Sequence, residues 1–177
     1  NIYKYYLLYM TMDLISEQLL SEDIYIDSSE LNKNINDILT IKLKNKLEGK
    51  SISTGYIIKD TIDIVNRSKY GKCIGNNKGE TVYNINFKTV LVSPVVGLKI
   101  SCYVHNVTKA GVVAYIKLSD YGDYEGDKFE DSPLLILIPL NRFEDENVQV
   151  NTKIDIEITA IRIKYNNKTI QIIGRPV

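Results

Sequence analysis

The chain has 177 residues, is 44% hydrophobic, and carries 22 Lys/Arg against 22 Asp/Glu, for zero formal net charge and a pI near 6.8. That length buries one fair core or two small ones. The neutral balance excludes a globally basic nucleic-acid binder but leaves room for a local basic patch, and it suits a subunit that lives inside an assembly. One histidine, no tryptophan and two cysteines without metal-like spacing offer almost nothing for a zinc site or a His-based nucleophile. Cys73 and Cys102 read as reduced thiols of an intracellular protein. The 26 Ile, 16 Asn, 18 Lys and 13 Tyr residues have AT-rich codons and point to an AT-rich genome.

Residues 1–16 open with NIYKYYLLYM, too short for a membrane span and without a small-residue cleavage site for a signal peptide. They read as an N-terminal extension: an extra strand or helix, or an apolar surface for a partner subunit. Leu20–Ile26 ends as an alternating strand with Ile24 and Ile26 on one face. Asp27-Ser28-Ser29-Glu30 has the pattern of a capping box. The helix it is expected to open carries Leu31, Ile35, Ile38, Leu39, Leu43 and Leu47 at helical spacing, and Gly49 closes it. Lys42, Lys44 and Lys46 complement the helix dipole in the last turns, with phosphate contact as the alternative.

Gly55–Asn66 is the next strand or strand pair. Arg67–Glu80, with Gly71, Gly75 and Gly79, is a loop tip whose glycine spacing matches neither a P-loop nor a dinucleotide fingerprint. From Leu31 to Lys78 there are ten Lys/Arg and four Asp/Glu, the more basic part of the first half. Glu80–Gly97 reads as one long strand with Tyr83, Ile85, Phe87, Thr89 and Leu91 on one face and Asn84, Asn86 and Lys88 on the other. Val90–Val92 make its end apolar on both faces, and Pro94 ends it. This strand is expected to be a spine between two domains, which would then move as one arm.

After Pro94 the pattern changes to short strands: Leu98–Val107, Val112–Leu118, Leu134–Pro139, Lys153–Tyr165 and Lys168–Gly174. A phase slip near Ala160 predicts a bulge, and Asn166-Asn167 a turn with φ > 0 at both residues. Ser119–Ser132 is an acidic loop with six Asp/Glu and one Lys. It reads as a solvated insertion. A calcium site from Asp120, Asp123, Glu125 and Asp127 is the alternative, though the spacing is not that of an EF-hand. Five such strands fit a Greek-key OB-type barrel. The expected class is α+β: residues 17–92 as a helix packed on a small antiparallel sheet, then residues 93–177 as a five-stranded OB/S1-like barrel.

The ordered set of Glu48-Gly49, Gly55-Tyr56-Ile57, Gly71, Gly79, the strand with Tyr83, Asn84, Phe87 and Val90, then Pro94 and Gly97 before the barrel, resembles the larger stalk subunit of multi-subunit RNA polymerases. This is the family of the seventh subunit of eukaryotic RNA polymerase II and of its archaeal counterpart. The resemblance covers about Leu20 to Gly174. It implies a non-catalytic subunit of a DNA-directed RNA polymerase, intracellular and without cofactor, metal or membrane contact. Its first domain would dock on the polymerase core and its S1 barrel would contact nascent RNA weakly, alongside a smaller stalk partner subunit. The loop Gly71, Lys72, Ile74, Lys78, Gly79 would be the docking tip, because glycines let backbone approach a partner closely.

An OB barrel stacks bases on aromatic side chains beside a basic groove. The groups available here are Tyr103, His105, Lys109, Tyr115, Lys117, Arg162 and Lys164. Residues 1–16, the acidic loop and a barrel not rich in exposed aromatics depart from the family pattern. With the codon bias, they suggest a polymerase of a large DNA virus; the expected location is the nucleus or, for a viral enzyme, host cytoplasm and virion. A free-standing S1-type single-stranded RNA-binding protein, a translation or decay factor, is the alternative.

Overall fold

The computed structural model describes residues 13–31, 34–73, 79–143 and 148–177. Ile74 and Lys78 of the expected docking tip, and residues 1–12, lie outside them. The described residues form two compact units. One comprises 17–92 and 163–169, the other 13–16, 93–162 and 170–177.

The first unit is a sheet with one helix on it. Its strands are β1 (Ile15–Ile26), β2 (Ser51–Ile52), β3 (Gly55–Ile57), β4 (Asp63–Arg67), β5 (Lys72–Cys73) and β6 (Thr81–Val92), in the order β1-β6-β3-β2, with β4 and β5 also paired to β6. Strand β6 is the hub: β5, β4 and β3 pair antiparallel to it in succession from its start to its end. Its alternation is as the sequence predicts, with Thr81, Tyr83, Ile85, Phe87, Thr89 and Leu91 buried. Helix α1 (Ile35–Leu47) presents Leu39, Leu43 and Leu47, spaced four apart, to Ile24, Ile26, Ile57, Ile85, Phe87 and Leu91. Burying each such side chain contributes about 1.5–3 kcal/mol. Gly49, at φ +69, ends the helix in the left-handed conformation, and its N–H donates to the Ile57 carbonyl at 3.0 Å.

Three local expectations are corrected. The capping box exists, but it caps a separate 3-10 turn, Ser28–Glu30, which ends where Leu31 leaves helical geometry at ψ 79. The α-helix starts afresh after Asn34, whose side chain makes no cap hydrogen bond. The helix lysines do more than face the dipole: Lys42 pairs with Glu30 and donates to the Tyr25 carbonyl, and Lys46 pairs with Glu22 and donates to the Asp23 carbonyl. Lastly, of Asn166 and Asn167, Asn166 alone has positive φ, at 64. The 163–169 turn is held by its backbone instead. Ser51 N–H donates to the Asn167 carbonyl and Asn166 N–H to the Ser51 carbonyl, both at 2.8 Å.

The second unit is a closed barrel of β7 (Lys99–Thr108), β8 (Gly111–Tyr115), β9 (Leu134–Ile138), β10 (Lys153–Arg162) and β11 (Ile170–Pro176), in the order β10-β11-β9-β8-β7, closed by β7 against β10. All pairs are antiparallel except β9 with β11. In barrel numbering this is 1-2-3-5-4-1 with a parallel 3–5 pair, the OB-like arrangement expected from the strand pattern. Ile100, Cys102, Val104, Val112, Ala114, Leu134, Ile136, Ile138, Ile156, Ile158, Ile170 and Ile172 fill the interior. Burial pushes the Cys102 thiol up to about 12, so it is a packing group rather than a reactive one. The bulge predicted near Ala160 lies between Ile158 and Ala160, where the register against β11 shifts. A second bulge, which the sequence pattern does not announce, lies in β7 between Val104 and Asn106.

Candidate nucleic-acid interface

The outward face of β7 carries Ser101, Tyr103 and His105. Barrel closure puts Tyr103 opposite Lys153 of β10 on one side and opposite Tyr115 of β8 on the other. Tyr103 is thus the centre of a row across three strands. Its ring lies 6.0 Å from that of Tyr115. Lys117 Nζ sits 4.2 Å above the Tyr103 ring centroid and Lys153 Nζ 5.5 Å from it. Two ammonium groups against one aromatic ring form a cation–π cluster. His105 is the extra residue of the β7 bulge. A bulge re-aims the side chain it carries, and His105 meets Tyr115 edge-on at 6.2 Å and 85°.

The six carboxylate residues of the acidic loop are exposed, as expected of a solvated insertion, but Phe129 turns back onto the barrel. Phe129 lies flat on His105, with centroids 3.8 Å apart and planes within 4°, and meets Tyr115 edge-on at 5.9 Å. Tyr115 is thereby left only 9% exposed. Asp120 accepts from the Tyr103 hydroxyl at 2.9 Å and from Lys153 Nζ at 3.3 Å through the same oxygen. The hydrogen bond to Asp120 raises the Lys153 pKa above its ordinary value. Tyr121, next in the loop, is partly buried, and that burial pushes its phenol up to about 12. The loop's exit is pinned by Ser132, whose buried hydroxyl accepts from the N–H groups of Ile116 and Leu134 and donates to the Leu134 carbonyl. A cavity of about 530 Å³ opens beside the row, with Lys99, Ser101, Asp120, Tyr121 and Lys153 among its walls.

Of the residues expected to touch RNA, the structure brings together Tyr103, His105, Tyr115 and Lys117. Lys109 is exposed in the β7–β8 turn, outside the ring and cation contacts. Arg162 ends β10, nine residues from Lys153, about 30 Å along the strand. Lys164 belongs to the 163–169 turn of the other unit, where its carbonyl accepts from the Ser51 hydroxyl. The sequence reading missed Lys153, Asp120 and Phe129. Lys153 stands on the outward alternation of its strand, which was the available signal. Nothing in the loop's composition singles out Phe129. Among the described residues no group of three or more His, Cys, Asp or Glu is placed to hold a metal ion. Asp120 is committed to Tyr103 and Lys153, and Asp127 accepts from the Ser119 N–H, so the calcium alternative has no assembled ligand set.

The described part of the expected docking tip has an internal explanation for its glycines. A Cβ on Gly71 would lie 2.1 Å from Thr81 Cγ2 and 2.7 Å from the Tyr83 ring. Gly79 has φ +62. Lys72 is exposed on β5. Gly71→Ala is therefore expected to cost about 1–3 kcal/mol through overpacking, read by chemical denaturation. A variant as stable as the parent would mean that the loop moves aside freely.

No family model matches the chain. It is 24% identical over 161 residues, covering 88% of this chain and 78% of the relative, to a protein of Acanthamoeba polyphaga mimivirus named "Putative DNA-directed RNA polymerase subunit L376".

Proposed function

We propose that this chain is a non-catalytic, stalk-type subunit of a DNA-directed RNA polymerase. Its sheet–helix unit docks on the polymerase core beside a smaller partner subunit, and its barrel contacts nascent RNA. The likeness to the viral polymerase-subunit protein along most of both chains carries the assignment. The OB-like barrel with a cation–aromatic row on its outer face supports the RNA contact. With few cations on that face, intrinsic affinity is low and salt-sensitive, and tethering to a polymerase that emits RNA raises its effective concentration. Among the described residues no helix is long and apolar enough to cross a membrane.

Native mass spectrometry of the tagged chain, purified from cells that make it, tests this directly. The expected result is a complex with two large polymerase subunits, with a further small subunit as an added mass. Recovery of the chain only as a monomer would overturn the polymerase assignment. Monomer that still brings down RNA would favour the free-standing RNA-binding protein.

A further inference from the structure

Two features of the acidic loop bear on how RNA would reach the barrel. Phe129 stacks in parallel on one face of His105 at 3.8 Å, while His105 stays otherwise exposed; a nucleobase on an aromatic platform is placed in the same way. Asp120 takes hydrogen bonds from Tyr103 and Lys153 through one oxygen, as a phosphate oxygen would. One segment thus supplies both a flat apolar ring and an anion to the donors and the platform of the same face. Its composition, six Asp/Glu with one Lys, suits contact with the lysines of that face and repels free RNA.

We infer that His105, Tyr103 and Lys153 form a single-nucleotide subsite, with the base on His105 and the phosphate on Tyr103 and Lys153. In the free protein Phe129 and Asp120 occupy it as an internal nucleotide mimic. This rests on the RNA-binding reading above. RNA and the loop then exclude each other at this subsite. The loop does not need to unfold to yield the base position. Leu118 is buried at its start and Ser132 at its end, whereas Phe129 rides on a single three-residue 3-10 turn, Phe129–Asp131, with no buried residue. Lifting that turn frees the stacked face of His105 and uncovers Tyr115 while both anchors hold. The subsite accepts any base, because stacking reads the π face and not the edge. The exchange of one stack and one ion contact for another keeps affinity low until the RNA is held nearby.

The test is fluorescence anisotropy of a dye-labelled single-stranded oligouridylate with the full chain at low salt. Phe129→Ala is expected to bind about tenfold tighter than the parent, the value of a stack that no longer has to be displaced. Adding His105→Ala to it should abolish that gain. Asp120→Asn should also tighten binding, by more than Asp123→Asn, which changes the same charge elsewhere in the loop. Phe129→Leu keeps apolar cover over Tyr115 and should give a smaller gain, so the result stands even if the alanine variant loosens the loop.

Equal or weaker binding by both Phe129 variants would overturn the inference, as would equal gains from the two Asp variants. A parent chain that binds with a salt slope while showing no Phe129 effect sinks the mimic alone. No binding by any variant sinks the RNA-binding reading with it.

Discussion

Tyr103→Ala is expected to weaken binding of single-stranded RNA by about 1–3 kcal/mol, roughly five- to 150-fold, in a low-salt titration of the full chain. Tyr103 is the residue on which the outer face of the barrel converges. It pairs with Lys153 and Tyr115 across two different strand partners. Its ring has two ammonium groups within 5.5 Å of the centroid, and it donates through its hydroxyl to Asp120. Truncation removes the stacking face and the surface that holds both lysines at once. Tyr103→Phe keeps the ring and loses the hydroxyl alone, so its effect should fall between parent and alanine.

Lys117→Ala and Lys153→Ala act differently. Each should lower the slope of log affinity against log salt by about 0.7, the increment for one phosphate contact on a single strand, whereas Tyr103→Phe should leave the slope alone. Unchanged affinity in Tyr103→Ala would remove this face from the RNA contact.

Phe87→Ala is expected to destabilise the protein by about 3–5 kcal/mol, the cost of lost burial plus the cavity left behind. Phe87 is 1% exposed and sits mid-way along β6, opposite Ile64 of β4, in the cluster with Leu39, Leu43 and Leu47 of α1. That core belongs to one modest sheet with one helix, and a domain typically has only about 5–15 kcal/mol of net stability. The change therefore takes a large share of it. Asn86→Ala, one residue away on the opposite face, removes a hydrogen bond to Asn66 at 2.7 Å that is exposed, and should change stability by about 0.5 kcal/mol or less. Guanidinium denaturation of the three chains measures both. A Phe87→Ala cost under about 1 kcal/mol would mean that this face of β6 is not the centre of the core.

The face of each strand was legible in the chain itself. A strand turns successive side chains to opposite sides, so the alternation through Tyr83, Ile85, Phe87 and Leu91 states what is buried without reference to any neighbour. The same holds for Ile100, Cys102 and Val104, for the phase slip at Ala160, and for the glycine that ends α1, because each records a local steric demand. The capping box shows where local reading stops. Asp27 and Glu30 make the hydrogen bonds their spacing predicts, but whether a helix continues beyond them depends on the next residues' backbone, and at Leu31 it does not.

The candidate interface lies on the other side of that divide. Periodicity says that Tyr103 and Lys153 each point outward. That they stand side by side, fifty residues apart in sequence, follows only from closing β7 against β10. Likewise His105 owes its aim to a bulge that shows only as a register shift against β8. Phe129 reaches it because buried Leu118 and Ser132 hold the two ends of the acidic loop. Burial pattern is a property of one segment and can be read from it. Neighbourhood is a property of how segments pair, and the alternation that fixes a strand's buried face does not say which distant strand closes against it.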